Sequence, residues 1–271
     1  MPHVILNAKV ALRTELAPGL LILRVVPHGW TLPPFIPGQF AVIGLPGSAP
    51  RSAAAEPEPE PADPDKLIRR AYSISSSSLD RDYLEFYIAL VRSGELTPRL
   101  FALELGQSLW LSPKITGMFT LKEVPADRNI VLIATGTGLA PYVSMLRTHL
   151  EANPRRKLAV LHGAYHSWDL GYRTELFMMQ RLCSNFSYLP IISGPQGEVV
   201  PWAGPSGHVQ DLWKSGALAH AWGFHPQPSN TDMFLCGNPR MIEDVTTLLK
   251  GEGFTEHKAH APGQIHAEKY W

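Results

Sequence analysis

The stretch that most limits how this chain can fold is residues 129–147, NIVLIATGTGLAPYVSMLR. An apolar run at 130–133 meets Ala134-Thr135-Gly136-Thr137-Gly138, and a helix-like sequence opens at Pro141, which reads as strand, glycine turn, helix. Glycines at 136 and 138 remove side chains so that backbone can approach a ligand, while the first amides of the following helix face negative charge. Pro141 suits a first helical turn, where the N–H it lacks would have had no partner. The run departs from the usual dinucleotide fingerprint: Pro141 stands where a third Gly or Ala is expected, and Arg155, Arg156 and Lys157 lie near the place of the ribose-binding acid. On these residues alone a phosphate site and a plain tight connection are both open.

The remaining classes narrow quickly. With 271 residues, 45% hydrophobic and 18% charged, the chain has material for two modest domains or one large one. A formal net charge of zero argues against a general nucleic-acid binder. Cys183 and Cys236 are too far apart for a CxxC redox pair and too few for an iron-sulfur cluster. No apolar run reaches the roughly 20 residues of a membrane span and no signal-peptide core follows Met1, so the expected setting is cytoplasmic.

Residues 4–12 and 20–26 read as a hairpin broken at Ala17-Pro18-Gly19, and 39–45 as a further strand. Residues 48–65, SAPRSAAAEPEPEPADPD, interleave acids with prolines and read as an extended, mobile loop on a hairpin, or as an acidic arm that selects charged partners. Arg69-Arg70-Ala71-Tyr72-Ser73 precedes a strand-like run at 84–91 that includes Tyr87. A guanidinium bonds phosphate in a planar fork, a phenol covers a flat ligand, and a serine hydroxyl reaches a ring nitrogen. Gly94-Glu95-Leu96-Thr97-Pro98 resembles a second glycine turn entering a short helix. Runs at 107–111 and 117–121 complete about six short strands, the count of a small closed barrel. Beyond residue 130, strand-like runs at 158–162, 188–192 and 233–236 alternate with helix-like sequence at 169–182, which favours a parallel sheet with ligands at its carboxyl ends.

The set RAYS at 70–73, GELTPRL at 94–100, ATGTGLAPY at 134–142, CGNPRM at 236–241 and the ending AEKYW resembles the bacterial ferredoxin-NADP reductase family, in the family's order and across nearly the whole chain. The resemblance implies an antiparallel Greek-key β-barrel that holds FAD, over 1–125, followed by a parallel-sheet Rossmann-like α/β nucleotide domain, over 126–271. It implies that Arg70 binds the FAD pyrophosphate, completed by Gly94, Leu96 and Thr97; that Ala71, Tyr72, Tyr87 and Thr137 line the cofactor; and that Ser73 bonds near flavin N5. Thr135, Gly136, Thr137, Gly138 and Pro141, with Cys236, Gly237, Asn238 and Met241, would enclose the nicotinamide nucleotide. Cys236 would lie beside the nicotinamide, Ala267 near the flavin, and Tyr270 and Trp271 over FAD at the adenine end or over the flavin itself; Glu268 could relay a proton.

The implied reaction is hydride transfer between NAD(P)H and flavin, with single electrons passed to or from ferredoxin or flavodoxin. Alternative readings are an NADH-preferring flavin reductase component of another system and a flavin-binding subunit that acts only inside a complex. Arg69, Arg92, Lys114, Lys122 and Arg147 are candidates for a basic docking surface. NADP(H) is the family's expected nucleotide, yet the arginines that would bind its 2'-phosphate are missing. Tyr165, Gly194 and His208 occupy those places, so His208, Arg173 or a shifted side chain replaces them, or NAD(H) is used. No metal is expected, since His257, His260 and His266 have no supporting cysteine or carboxylate constellation.

Overall fold

A computed structural model describes residues 5–151 and 153–269, which divide into two compact units, 1–120 and 121–271. The division falls five residues ahead of the boundary expected from sequence.

Unit 1 is a six-stranded antiparallel sheet in the order β4-β3-β6-β1-β2-β5, built from β1 (Ala8–Ala17), β2 (Leu20–Pro27), β3 (Phe40–Pro46), β4 (Leu67–Ser73), β5 (Leu84–Ala89) and β6 (Ser108–Thr116). The sheet rolls until its two end strands meet: Ile74, just past β4, bridges Phe86 on β5, and Ser75 N–H donates to Glu85 O at 2.8 Å. Closure leaves an interior of Leu21, Leu23, Ile43, Ile74, Phe86 and Leu111, all buried. A strand at 117–121 is not formed. Gly117 adopts φ +136°, its Cβ position lies against Gln39 and Phe40, and the chain turns away after a longer β6.

The serine run after β4 is a buried connection rather than a solvated turn. Ser75, Ser76 and Ser77 are buried around Glu85, whose carboxylate accepts from Ser75 Oγ at 3.3 Å and pairs with Arg24 at 2.6 Å. Glu85 N–H donates to Ser76 Oγ at 3.2 Å, and Arg24 lies 4.6 Å above the Tyr83 ring. The acidic loop at 48–65 is also tied down. Its base is closed by Gly47 N–H to Lys66 O at 2.9 Å and Ser48 N–H to Pro64 O at 3.2 Å. Glu56, Glu60, Asp63 and Asp65 are exposed, but Glu58 is ion-paired with Arg51 and Arg99.

Unit 2 is a five-stranded parallel sheet in the order β11-β10-β7-β8-β9, formed by β7 (Asn129–Thr135), β8 (Leu158–Ala164), β9 (Phe186–Ile192), β10 (Thr231–Gly237) and β11 (Ile265–Lys269). The central strand β7 is buried along its length, as a strand covered on both faces must be. α2 (Ala140–His149) and α3 (Arg173–Leu182) join β7 to β8 and β8 to β9; the short α1 (Thr97–Phe101) belongs to unit 1. Val131, Ile133, Ala159, Leu161, Met233 and Leu235, on one face, pack with α4 (Val209–Lys214), α5 (Ala217–Trp222) and α6 (Pro239–Gly251). Tyr142 on α2 is fully buried, its hydroxyl 2.7 Å from Phe234 O and 3.2 Å from Ile133 O, so one phenol spans two neighbouring strands. The segment that leads into the AEKYW ending supplies β11, an added parallel strand beside β10. No helix among the described residues is long and apolar enough to cross a membrane.

Removing the carboxylate at the barrel seam should cost stability. Glu85→Ala removes the carboxylate that Arg24 and the Ser75 hydroxyl share while keeping the backbone N–H bonded to Ser76, and because Arg24 retains contact with water the loss should be about 2 kcal/mol, below the roughly 3–5 kcal/mol of a wholly buried pair. Urea unfolding of the variant measures it; a loss under a few tenths would show that the seam does not depend on the ion pair.

Candidate functional site

In unit 1 the arginine-tyrosine-serine run forms the last half of β4. Arg70 is exposed, donating from Nη1 to Arg69 O at 2.8 Å and pairing through Nη2 with Glu95 Oε2 at 2.7 Å. That contact joins the 70–73 and 94–97 motifs. The Glu95 carboxylate occupies one face of the guanidinium fork. Both side chains are more than half exposed, so the pair is weakly held and replaceable. Tyr72 is half-buried, edge-on to Phe86 with centroids 6.4 Å apart, and burial pushes its phenol up so that it stays a neutral donor. Ser73 is buried, Ala71 exposed, and Tyr87 buried on β5. Thr97 closes its turn on itself: its hydroxyl accepts from Val91 N–H at 3.0 Å and donates to Val91 O at 3.1 Å. The Thr97 proton is therefore committed within the turn. A Cβ on Gly94 would stand 3.1 Å from Val91 O, a tight contact.

In unit 2 two glycine turns interlock at the carboxyl ends of β7 and β10. A Cβ on Gly138 would lie 2.3 Å from Cys236 O, and one on Gly237 would lie 2.4 Å from Thr135 Oγ1. The Thr135 hydroxyl accepts from Asn238 N–H at 2.9 Å. Gly136 and Gly237 also adopt φ +54° and +132°, which side chains resist. Thus Gly138 and Gly237 let backbone meet backbone, a reason additional to ligand approach. Asn238 caps α6 by accepting from Arg240 and Met241 N–H at 2.8 and 3.4 Å. Pro141 lies in the buried first turn of α2, and Thr137 is half-buried. Cys236 is fully buried and stands in register with Ala134 on one side and Glu268 on the other, while Ala267 pairs with Leu235. Tyr270 and Trp271 lie outside the described residues.

A family model described as oxidoreductase NAD-binding domain matches residues 132–247. A flavodoxin/ferredoxin-NADP reductase of Escherichia coli (strain K12) is 32% identical over 239 residues, 88% of each chain. The chain belongs to the flavodoxin/ferredoxin-NADP reductase family. The anthranilate 1,2-dioxygenase electron transfer component of Acinetobacter baylyi is 30% identical over 237 residues, 87% of this chain but 58% of that one. The fold matches a ferredoxin NADP+ reductase structure from Neisseria gonorrhoeae with bound FAD and NADP, at TM-score 0.80, 22% identity and 98% coverage of both chains.

Beyond β8 this reductase sets Tyr165, Gly194, Arg173 and His208, named above, beside His166, Ser167, Trp168 and Glu198, which the sequence did not single out. The Tyr165 ring covers Gly194, where a Cβ would sit 2.9 Å from ring carbons, and Gly194 N–H donates to Tyr165 O at 2.8 Å. Tyr165 is otherwise exposed, edge-on to His166, which stacks on Trp168. Glu198 accepts from Ser167 N–H at 2.7 Å and Ser167 Oγ at 2.5 Å. Burial opposes its charge, but the two Ser167 bonds with nearby His166 and Arg173 outweigh burial and hold its carboxyl low. Arg173 lies over the Trp202 and Phe177 rings at 4.7 and 5.6 Å. His208 is exposed, its N–H bonded to Asp211 at 2.8 Å as the cap of α4. Glu198 sits in irregular chain with no periodic or motif signal. Among the described residues no group of three or more His, Cys, Asp or Glu side chains is placed to hold a metal; the His257 ring stacks on His266, whose Nε2 meets Asp232 at 3.2 Å.

His162, at the end of β8, is wholly buried with Nδ1 3.2 Å from the Tyr188 hydroxyl. Burial pushes its pKa down to about 4, against a weaker upward pull from the Gly136 backbone. The unfolded chain therefore takes up a proton near pH 6.5 that the folded chain refuses until about 4. Stability should be unaffected by this group above pH 6.5 and fall by on the order of 3 kcal/mol as the pH drops from there to 4. Denaturant titrations of wild type and His162→Phe across that window test this; parallel pH profiles would refute it.

Proposed function

We propose that this reductase binds FAD on unit 1 and a nicotinamide nucleotide on unit 2, transfers hydride between them, and exchanges single electrons with ferredoxin or flavodoxin. The observation that carries the reading is the Arg70–Glu95 contact, which brings a forked cation, a ring-covering tyrosine and a buried serine to one place beside a glycine turn. Bound FAD supplies the conversion of a two-electron donor into one-electron deliveries. Arg70 neutralises the diphosphate, Tyr72 covers the flat ring, and the Ser73 hydroxyl orients the reactive nitrogen. In unit 2 the turns at 135–138 and 236–238 hold the nucleotide, Cys236 leaves room for its ring, and Glu268, on the neighbouring strand, offers a carboxylate for proton exchange. Exposed Arg92 and Lys114 can meet an acidic carrier. Arg147 cannot contribute freely, because it is held by Glu175 at 2.7 and 2.8 Å. The expected setting is cytoplasmic, where thiols such as Cys183 and Cys236, neither in a disulfide, stay reduced.

The nucleotide preference favours NAD(H). Tyr165 and Gly194, at two places where the family pattern puts 2'-phosphate cations, fill each other's space, and the nearby ionised group is the Glu198 carboxylate. Arg173, the other candidate cation, is engaged by aromatic faces and by Glu198. A 2'-phosphate there meets a carboxylate's repulsion, whereas a ribose hydroxyl does not.

Stopped-flow flavin reduction tests both statements. The kcat/KM for NADPH should be no greater than that for NADH; strong NADPH selectivity would overturn the preference while leaving the reductase reading intact. Reduction by either nucleotide should be followed by oxidation on adding ferredoxin or flavodoxin, and absence of flavin reduction would sink the reading itself. Arg70→Ala should weaken FAD binding about 10- to 100-fold, the loss of charge-assisted phosphate bonds; unchanged FAD affinity in a fluorescence titration would show that the diphosphate lies elsewhere.

A further inference from the structure

The loop at 48–65 reaches across unit 1 to one place, the back of the 94–97 turn. Arg99 on α1 is buried, its side chain 2% exposed. Its Nη1 donates to Glu58 Oε1 and to Glu95 O, both at 2.7 Å, and its Nη2 to Gly47 O at 2.7 Å and Glu58 Oε2 at 3.1 Å. Glu58 Oε1 also accepts from Arg51 Nη1 at 2.8 Å, and the same Arg51 nitrogen donates to Gly94 O at 3.0 Å. One loop carboxylate therefore fixes two guanidinium groups, and these fix two successive carbonyls. Backbone bonds run alongside: Ser52 N–H to Pro98 O at 2.9 Å and Glu56 N–H to Arg92 O at 3.0 Å. Where the loop leaves and returns, a Cβ on Gly47 would lie 2.1 Å from Asp63 O, so the glycine admits the returning arm. The Arg99 bond holds the Glu58 carboxyl below its usual range, against burial, so the charge that grips the guanidinium persists.

The consequence lies in peptide geometry. In a trans peptide the C=O and N–H point in opposite directions, and no cis peptide is present among the described residues. Tying Gly94 O and Glu95 O toward the loop turns the N–H groups of Glu95 and Leu96 away from it. Neither N–H has a hydrogen-bond partner among the described residues. On the same short segment the Glu95 carboxylate meets Arg70. Two oriented, unpartnered donors beside a guanidinium make a receptor for an oxyanion.

We propose that the acidic proline-rich loop is a built-in clamp on the FAD diphosphate cradle, with Glu58 as a positioning residue that acts through Arg51 and Arg99 on the peptides at 94–96. This rests on the reading that Arg70 and the 94–97 turn hold the diphosphate. Cofactor retention would thus depend on a surface loop that acts on the cradle from behind. The alternating prolines stiffen the two arms, which lowers the entropy lost when Glu58 is seated.

The test is FAD binding to apoenzyme, followed by flavin fluorescence, with the dissociation rate measured by dilution. Glu58→Gln should raise the FAD dissociation constant at least about tenfold, chiefly through faster release. Arg51→Met frees Gly94 O alone and leaves the buried Arg99–Glu58 pair in place, so it should raise the constant about threefold; if Glu58→Gln does not fold, this variant decides. A loop with a purely structural role would lower the melting temperature of the apoenzyme while leaving both constants within about twofold of wild type, and that result would overturn the proposal. Failure of the underlying reading looks different: Arg70→Ala would then bind FAD as wild type does.

Discussion

Unit 2 is organised by two backbone turns that cross with no room for a side chain between them. Gly138 faces the Cys236 carbonyl and Gly237 faces the Thr135 hydroxyl, so each glycine is required by the turn of the other strand. The Thr135 hydroxyl then receives the Asn238 N–H, and Asn238 spends its side chain on starting α6. The opposite end of the same strand pair is pinned as firmly. Arg128, just before β7, bonds Asp232 and the carbonyls of Pro228, Ser229 and Thr231 at the entrance to β10. With Tyr142 spanning the middle, the register of β7 on β10 is fixed at both ends and between them. An edge of this kind is held in place by its own bonds, so little ordering entropy would oppose a ligand that binds there.

Unit 1 solves a different problem. A barrel must close, and here the seam is polar: Glu85 on β5 gathers Arg24 and the serines that follow β4. Buried ion pairs add less stability than packed hydrocarbon of the same volume, but an unpartnered charge is so unfavourable that alternative registers are penalised. Ser73 sits one residue before that seam. The strand end that presents a hydroxyl is thereby held by groups with no contact of their own to the site.

Much of this was legible in the sequence, for identifiable reasons. Strands β2, β3 and β5 and the strand-turn-helix at 129–147 follow from apolar runs bounded by glycine and proline, and the motifs at 70–73 and 94–97 are indeed in contact. What composition suggested about 48–65 described its exposed acids and missed Glu58, because a partner some forty residues away leaves no local trace. The added strand β11 was hidden in a polar ending, where only pairing with β10 supplies the reason to extend. A strand at 117–121 was suggested by apolar residues that serve a turn. Glu198 and Ser167 had no signal at all, since their association depends on irregular chain returning to the end of β8.

The fit of Tyr165 onto Gly194 ties the size of one residue to the placement of the other. A side chain at 194 would bring its Cβ to 2.9 Å from the Tyr165 ring carbons, so the exposed phenol would have to swing aside to admit it. The two positions are therefore coupled through the space they share. Relatives with a large side chain at 194 should therefore either lack an aromatic ring at 165 or carry it turned outward, a dependence written in the distance between a missing methyl and a phenol.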